Sequence, residues 1–109
     1  MPLALQVTLH RIPPSDALQS SIAEHAAKLE RLESRVTRCR VTVDEDVKRH
    51  RRGNRFEVRV ELRAPAHRDI AVHRHDEDVY VALRDAFDTA SRRLRESEHG
   101  FETARHPVY

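Results

Sequence analysis

The stretch Asp78-Val79-Tyr80-Val81-Ala82-Leu83-Arg84-Asp85-Ala86-Phe87-Asp88-Thr89-Ala90-Ser91-Arg92-Arg93-Leu94 decides how this chain folds. Val79, Leu83, Ala86, Phe87, Ala90 and Leu94 recur at the spacing of one buried helical face. Arg84, Arg92, Arg93 and Arg95 stand off that face. The pattern predicts a closing amphipathic helix over 77–98, with Asp76 as its cap and Gly100 as its stop. A basic helix beside a short sheet points first to a polyanionic partner.

Upstream of this helix the period drops from helical to two, the signature of strands with one buried face. Phe56, Val58, Val60 and Leu62 alternate with charged residues, and Pro65 ends the run. A shorter strand is expected over 69–73, with Ile70 and Val72 inward. Cys39, Val41 and Val43 mark another strand before a polar segment in which Gly53-Asn54 is a plausible turn pair. Near the N-terminus, Leu3, Leu5, Val7 and Leu9 alternate until Pro13-Pro14. Ser15 then occupies an N-cap position, and Leu18, Ile22, Ala26, Leu29 and Leu32 predict a helix over 16–33.

The order is therefore β-α-β-β-β-α, an α+β domain. A helical crossover lets the first two strands lie parallel, and the later strands form a meander, so the sheet is four-stranded and mixed. Each strand has one apolar face, which places both helices side by side on one face and leaves the other to water. Residues 1–99 form the expected domain, and 100–109 a short C-terminal tail.

Composition narrows the function. The 20 Lys and Arg nearly balance the 18 Asp and Glu among 109 residues, so an anion site must come from segregated charge, not bulk positivity. The single cysteine, Cys39, excludes an internal disulfide and fits a reducing, cytoplasmic compartment; its alternation places it in the core. No apolar run approaches a membrane span, and the N-terminus lacks the basic start of a signal peptide. With 2 glycines a phosphate-cradling nucleotide loop is implausible, and no nucleophile sits in a recognisable elbow, so no enzyme and no small-molecule substrate are expected. His73 and His75, even joined by His67 and His50, lack a supported third ligand, so neither metal nor cofactor is expected.

Three groups of basic residues are candidates for contact with RNA, and a fourth reads otherwise. Lys28, Arg31 and Arg35 form one ridge if the first helix continues that far. Arg84, Arg92, Arg93 and Arg95 line the second helix. Lys48, Arg49, Arg51 and Arg52 make the densest basic run, in a loop. Arg55, Arg59 and Arg63 share the exposed sheet face with Glu57 and Glu61, where alternating sign favours cross-strand ion pairs. The competing explanation for the helices is a solvated charged face, with Glu24–Lys28, Arg84–Asp88 and Asp88–Arg92 as intrahelical pairs worth only ~0.3–0.5 kcal/mol each. Tyr80 stands at the rim of the apolar stripe, where it can pack or stack on a base.

Ala17-Leu18 with Ile22, Lys28-Leu29-Glu30, Asp78-Val79-Tyr80-Val81-Ala82-Leu83 and Arg92-Arg93-Leu94, in this element order, resemble the ribosome hibernation promoting factors and ribosome-associated inhibitors, also called sigma-factor modulation proteins. The resemblance covers roughly Leu3 to Leu94. It implies a stress-linked, non-enzymatic translation regulator. Such proteins bind the small ribosomal subunit where messenger RNA and the A- and P-site transfer RNAs would sit, and some promote pairing of ribosomes. Lys28 and Arg92 match basic positions of the family, and Tyr80 an aromatic one. Long members carry a second, dimerising domain, so this chain looks like a short form. Three features depart from the pattern: Thr89 replaces a lysine, Glu96-Ser97-Glu98 replaces a basic helix end, and His25 replaces a basic residue. These departures motivate an alternative, a protein-interaction module of the same fold that has lost ribosome binding.

Overall fold

The computed structural model describes residues 3–45, 55–65 and 69–104, with side chains through 96. Its elements are β1 (Ala4–His10), α1 (Asp16–Leu32), β2 (Arg38–Glu45), β3 (Phe56–Arg63), β4 (Ile70–Asp76) and α2 (Val79–Ala104). The sheet order is β1-β2-β3-β4, with β1 parallel to β2 and the remaining pairs antiparallel. This is the expected four-stranded mixed sheet and α+β fold.

Period-two alternation sends Cys39, Val41 and Val43 of β2, Val58, Val60 and Leu62 of β3, and Ile70 and Val72 of β4 into one core. Leu18, Ile22, Ala26 and Leu29 of α1 meet them there, with Ala82, Leu83, Ala86, Phe87, Ala90 and Leu94 of α2. One apolar face on the sheet and one stripe on each helix admit only this layering. Accordingly α2 lies across β3 and β4, while α1 packs beside α2 and over β1. A backbone contact ties the last pair: Leu3 N–H donates to Glu30 Oε2 at 2.6 Å. Burial pushes the Cys39 thiol up to about 12, as expected of a small core residue without a charged neighbour.

The helix ends show where local rules succeed and fail. Ser15 is the N-cap of α1 as expected, and its hydroxyl accepts from Leu18 N–H at 3.2 Å. At the other end Glu33 is the C-cap, its N–H donating to Leu29 O at 2.7 Å, so α1 stops at Leu32, one residue early. Arg35 thus lies beyond the helix, within 3.5 Å of Glu33 Oε2, and does not extend the Lys28–Arg31 ridge. Leu32, expected in the core, is 58% exposed because the last turn of α1 brings it to the rim between the helices. Leu5 is also exposed, as β1 is an edge strand that α1 covers only in part.

The approach to α2 differs from the expectation as well. β4 extends to Asp76, three residues past the expected end, because pairing with β3 runs on to Phe56↔Asp76. Asp76 forms a turn instead of the cap: its Oδ1 accepts from Asp78 N–H at 2.8 Å. Asp78 caps the helix, accepting from Tyr80 N–H at 2.9 Å, and its carbonyl takes the first helical bond from Ala82. Helix α2 therefore begins at Val79, not Glu77, and it continues through Gly100 to Ala104. A glycine inside a helix costs about 1 kcal/mol against alanine, too little to end a helix already propagating. The Gly53-Asn54 turn lies outside the described residues.

Candidate nucleic-acid interface

Where α1 and α2 run side by side, a shallow groove opens to solvent. His25, Lys28, Leu29 and Leu32 line it from α1, and Phe87, Asp88 and Ser91 from α2. The helices lock at its floor: the His25 and Phe87 rings stack with centroids 5.2 Å apart and planes 14° from parallel. Aromatic contacts of this kind contribute about 0.5–1.5 kcal/mol beyond their buried area. Burial holds the His25 imidazole below its usual range; Asp88 and Glu24 pull the other way, while Lys28 and Arg84 reinforce burial. His25 is a neutral wedge at pH 7, not the cation that a basic residue would supply there.

Four expected cations gather around this groove. Lys28 and Arg31 share the adjoining surface of α1 with Glu24 and His25. Arg84 lies near enough to act on the His25 proton and contacts Asp85 at 3.5 Å. Arg95 donates to Ser91 Oγ at 3.1 Å, at the rim of the groove. Both Lys28 and Arg92 are exposed, and among the described residues neither makes an ion pair, so the expected Glu24–Lys28 and Asp88–Arg92 pairs do not form. The expected Arg84–Asp88 pair is replaced by Arg84–Asp85.

Two expected contributors point elsewhere. Arg93 reaches across the edge of β4 to donate to Ala71 O at 3.3 Å, away from the groove. Arg35 is engaged below the end of α1. Lys48, Arg49, Arg51 and Arg52 fall outside the described residues. The cationic strip is also punctuated, because Asp88 sits within the groove and Glu24 beside Lys28.

Sequence reasoning missed one cation on the sheet side of α2. Arg74 of β4 donates to His73 O at 2.8 Å and to Thr89 Oγ1 at 3.1 Å. Thr89 is buried, and Arg74 brings a guanidinium to that flank from the neighbouring strand. Nothing local in the sequence signals that contact, which depends on where α2 lies over β4.

On the open face, the ion pairs expected from alternating charge are present in part. Arg59 lies 3.6 Å from Glu61 of the same strand, and on the helix side of the sheet end Arg55 donates to Glu45 at 2.7 Å while stacking on Phe56 at 5.0 Å. His73 and His75 both approach Glu57 Oε2, at 3.4 and 3.3 Å. Among the described residues no group of three or more His, Cys, Asp or Glu could hold a metal ion. No described helix is long and apolar enough to cross a membrane. Tyr80 is exposed at the start of α2.

Comparison with known proteins identifies the fold and the family. Two solved structures share the fold. The Thermus thermophilus Protein Y N-terminal domain matches with a TM-score of 0.69 at 17% identity, over 86% of this chain and 98% of that one. A ribosomal subunit interface protein from Coxiella burnetii matches with a TM-score of 0.75 at 11% identity, over 89% and 99%. No curated protein matches the sequence. The family model of the sigma 54 modulation protein / S30EA ribosomal protein matches residues 5–99, nearly the whole described domain, and the chain belongs to that family.

Proposed function

We propose that this protein is a ribosome-associated translation inhibitor of the hibernation type. In this reading it binds the small ribosomal subunit and fills the path of messenger RNA and the A- and P-site transfer RNAs under stress. One observation carries the reading: Lys28, Arg31, Arg84 and Arg95 surround a groove between two rigidly packed helices in a member of this family. Two structures of the same fold are a Protein Y domain and a ribosomal subunit interface protein.

The mechanism is steric exclusion. Exposed cations on fixed helices neutralise backbone phosphates and release counterions, while the domain behind them denies the channel to other ligands. Arginine adds a planar fork that grips phosphate oxygens in pairs. Recognition rests on shape and phosphate spacing, as expected for folded RNA whose base edges are inaccessible. No catalytic step is required.

Co-sedimentation with purified small subunits at graded salt tests this. Binding should weaken steeply with salt, and messenger or transfer RNA should compete. Undetectable binding at low salt rejects the reading. Asp88 in the groove and exposed Glu96 support a second reading, a protein-interaction module that has kept the fold without the ribosome site. It predicts no association with subunits at any salt concentration.

A further inference from the structure

The open face of the sheet, opposite the helices, is not uniform. Toward one end its charges are matched: Arg11 donates to both carboxylate oxygens of Asp44, at 3.1 and 2.9 Å. At the other end the β2–β3 register sets Arg38 directly across from Arg63, and Arg40 follows Arg38 on the same face. Like charges directly opposite in an antiparallel pair are unfavourable. Nevertheless, among the described residues none of these three guanidinium groups makes an ion pair or a hydrogen bond.

The three arginines line one depression of about 160 Å³ with Glu61 and Asp69. Glu61 stands across from Arg40 and is already approached by Arg59, and the three lining arginines outnumber the two carboxylates. The backbone beneath is held, because Thr37 donates to Arg63 O through its N–H at 2.8 Å and through its hydroxyl at 3.3 Å. A depression lined by three unengaged guanidinium groups on a fixed ladder suits a tetrahedral oxyanion.

We propose that Arg38, Arg40 and Arg63 form a second phosphate-binding site, independent of the helices, and that a backbone phosphate of ribosomal RNA occupies it. RNA as occupant rests on the ribosome-binding reading above; the existence of the site does not. With it, the domain grips RNA on both faces of the sheet layer instead of one.

Two measurements on the full chain decide the matter. In the first, inorganic pyrophosphate is titrated while the arginine Nε–Hε signals are followed by NMR. The signals of Arg38, Arg40 and Arg63 should move together and saturate, and pyrophosphate should raise the melting temperature of the parent more than that of R38Q/R40Q/R63Q, which keeps the helical cations. No coherent movement overturns the site and leaves three solvated arginines. The single variant Arg63→Gln guards against misfolding of the triple variant, since relief of the Arg38–Arg63 repulsion should leave it melting at or above the parent. In the second measurement, the triple variant binds small subunits across a salt series. The slope of log affinity against log salt should fall by about 1–2 relative to the parent. An unchanged slope overturns RNA as the occupant while the helical interface stands. Absence of subunit binding by the parent overturns both RNA assignments, and the pyrophosphate titration still decides the site.

Discussion

Around the interhelix groove, Lys28 and Arg31 are exposed on α1 and Arg95 leans on a serine, whereas at the matched end of the open sheet, away from Arg38, Arg40 and Arg63, Arg11 lies 2.9 Å from Asp44 Oδ2. Both regions are rich in basic residues, so residue counts do not separate them. Pairing does. A matched surface pair contributes about 0–1 kcal/mol to stability and presents little net field to an approaching anion. An exposed, unpaired cation on a fixed helix keeps its field, and a phosphate that engages it need not displace a carboxylate, although the side chain gives up rotamer freedom.

The contrast depends first on the core that holds α1 and α2 parallel to the same sheet. Leu83 is fully buried in that core, and Leu83→Ala should cost about 2–5 kcal/mol in denaturant unfolding. Cys39 gives an independent readout. Its thiol, pushed up to about 12 and buried, should resist alkylation in the native parent at neutral pH and label faster in the variant. Parent-like unfolding and labelling would show that the helices do not rest on this residue.

Next in size is the charge reversal of the groove. Lys28→Glu with Arg31→Glu should weaken small-subunit binding by roughly 100-fold, taking about 1.5 kcal/mol per charge-assisted contact. Melting temperature should stay near the parent value, since both side chains are exposed. Unchanged affinity would move the interface off α1.

These two variants also separate what the sequence disclosed from what it concealed. Leu83 was legible because a helical period of apolar residues has one physical meaning. Ser15 was legible because a hydroxyl before a helical run can satisfy an otherwise unpaired N–H. The choice between Asp76 and Asp78 was not, since both carboxylates accept backbone bonds within one turn and strand pairing with β3 decides which one caps. Arg35 depended on where α1 stops, and Gly100 on the difference between a weak helix residue and a terminator. Arg38 opposite Arg63 and Arg74 on Thr89 were hidden for a deeper reason: register and helix placement are long-range properties. The basic groove was legible in kind, as two cationic helices, but its membership came from geometry, which kept Lys28, Arg31, Arg84 and Arg95 and turned Arg93 away.

A smaller effect sharpens the role of the groove floor. The His25 imidazole is held below its ordinary value of 6.5, chiefly by burial, so the unfolded chain binds its proton more readily. Stability from this group is fully present above pH 6.5 and is lost as pH falls through the lower folded value. In His25→Phe that part of the acid-side loss should vanish from the pH dependence of unfolding. A variant with the parent's profile would show that other groups govern it.

The smallest effect is expected on the matched side. Arg11→Gln removes the pair with Asp44 and should change stability by less than about 1 kcal/mol, with small-subunit affinity as in the parent. A large loss of affinity there would erase the distinction between the two regions.

The most direct measurement is an electron cryo-microscopy map of the protein on the purified small subunit. The account predicts RNA backbone phosphates within contact distance of Lys28 and Arg31, with the α1–α2 groove facing the subunit. A map in which both helices face solvent, or in which the groove meets protein alone, would contradict it.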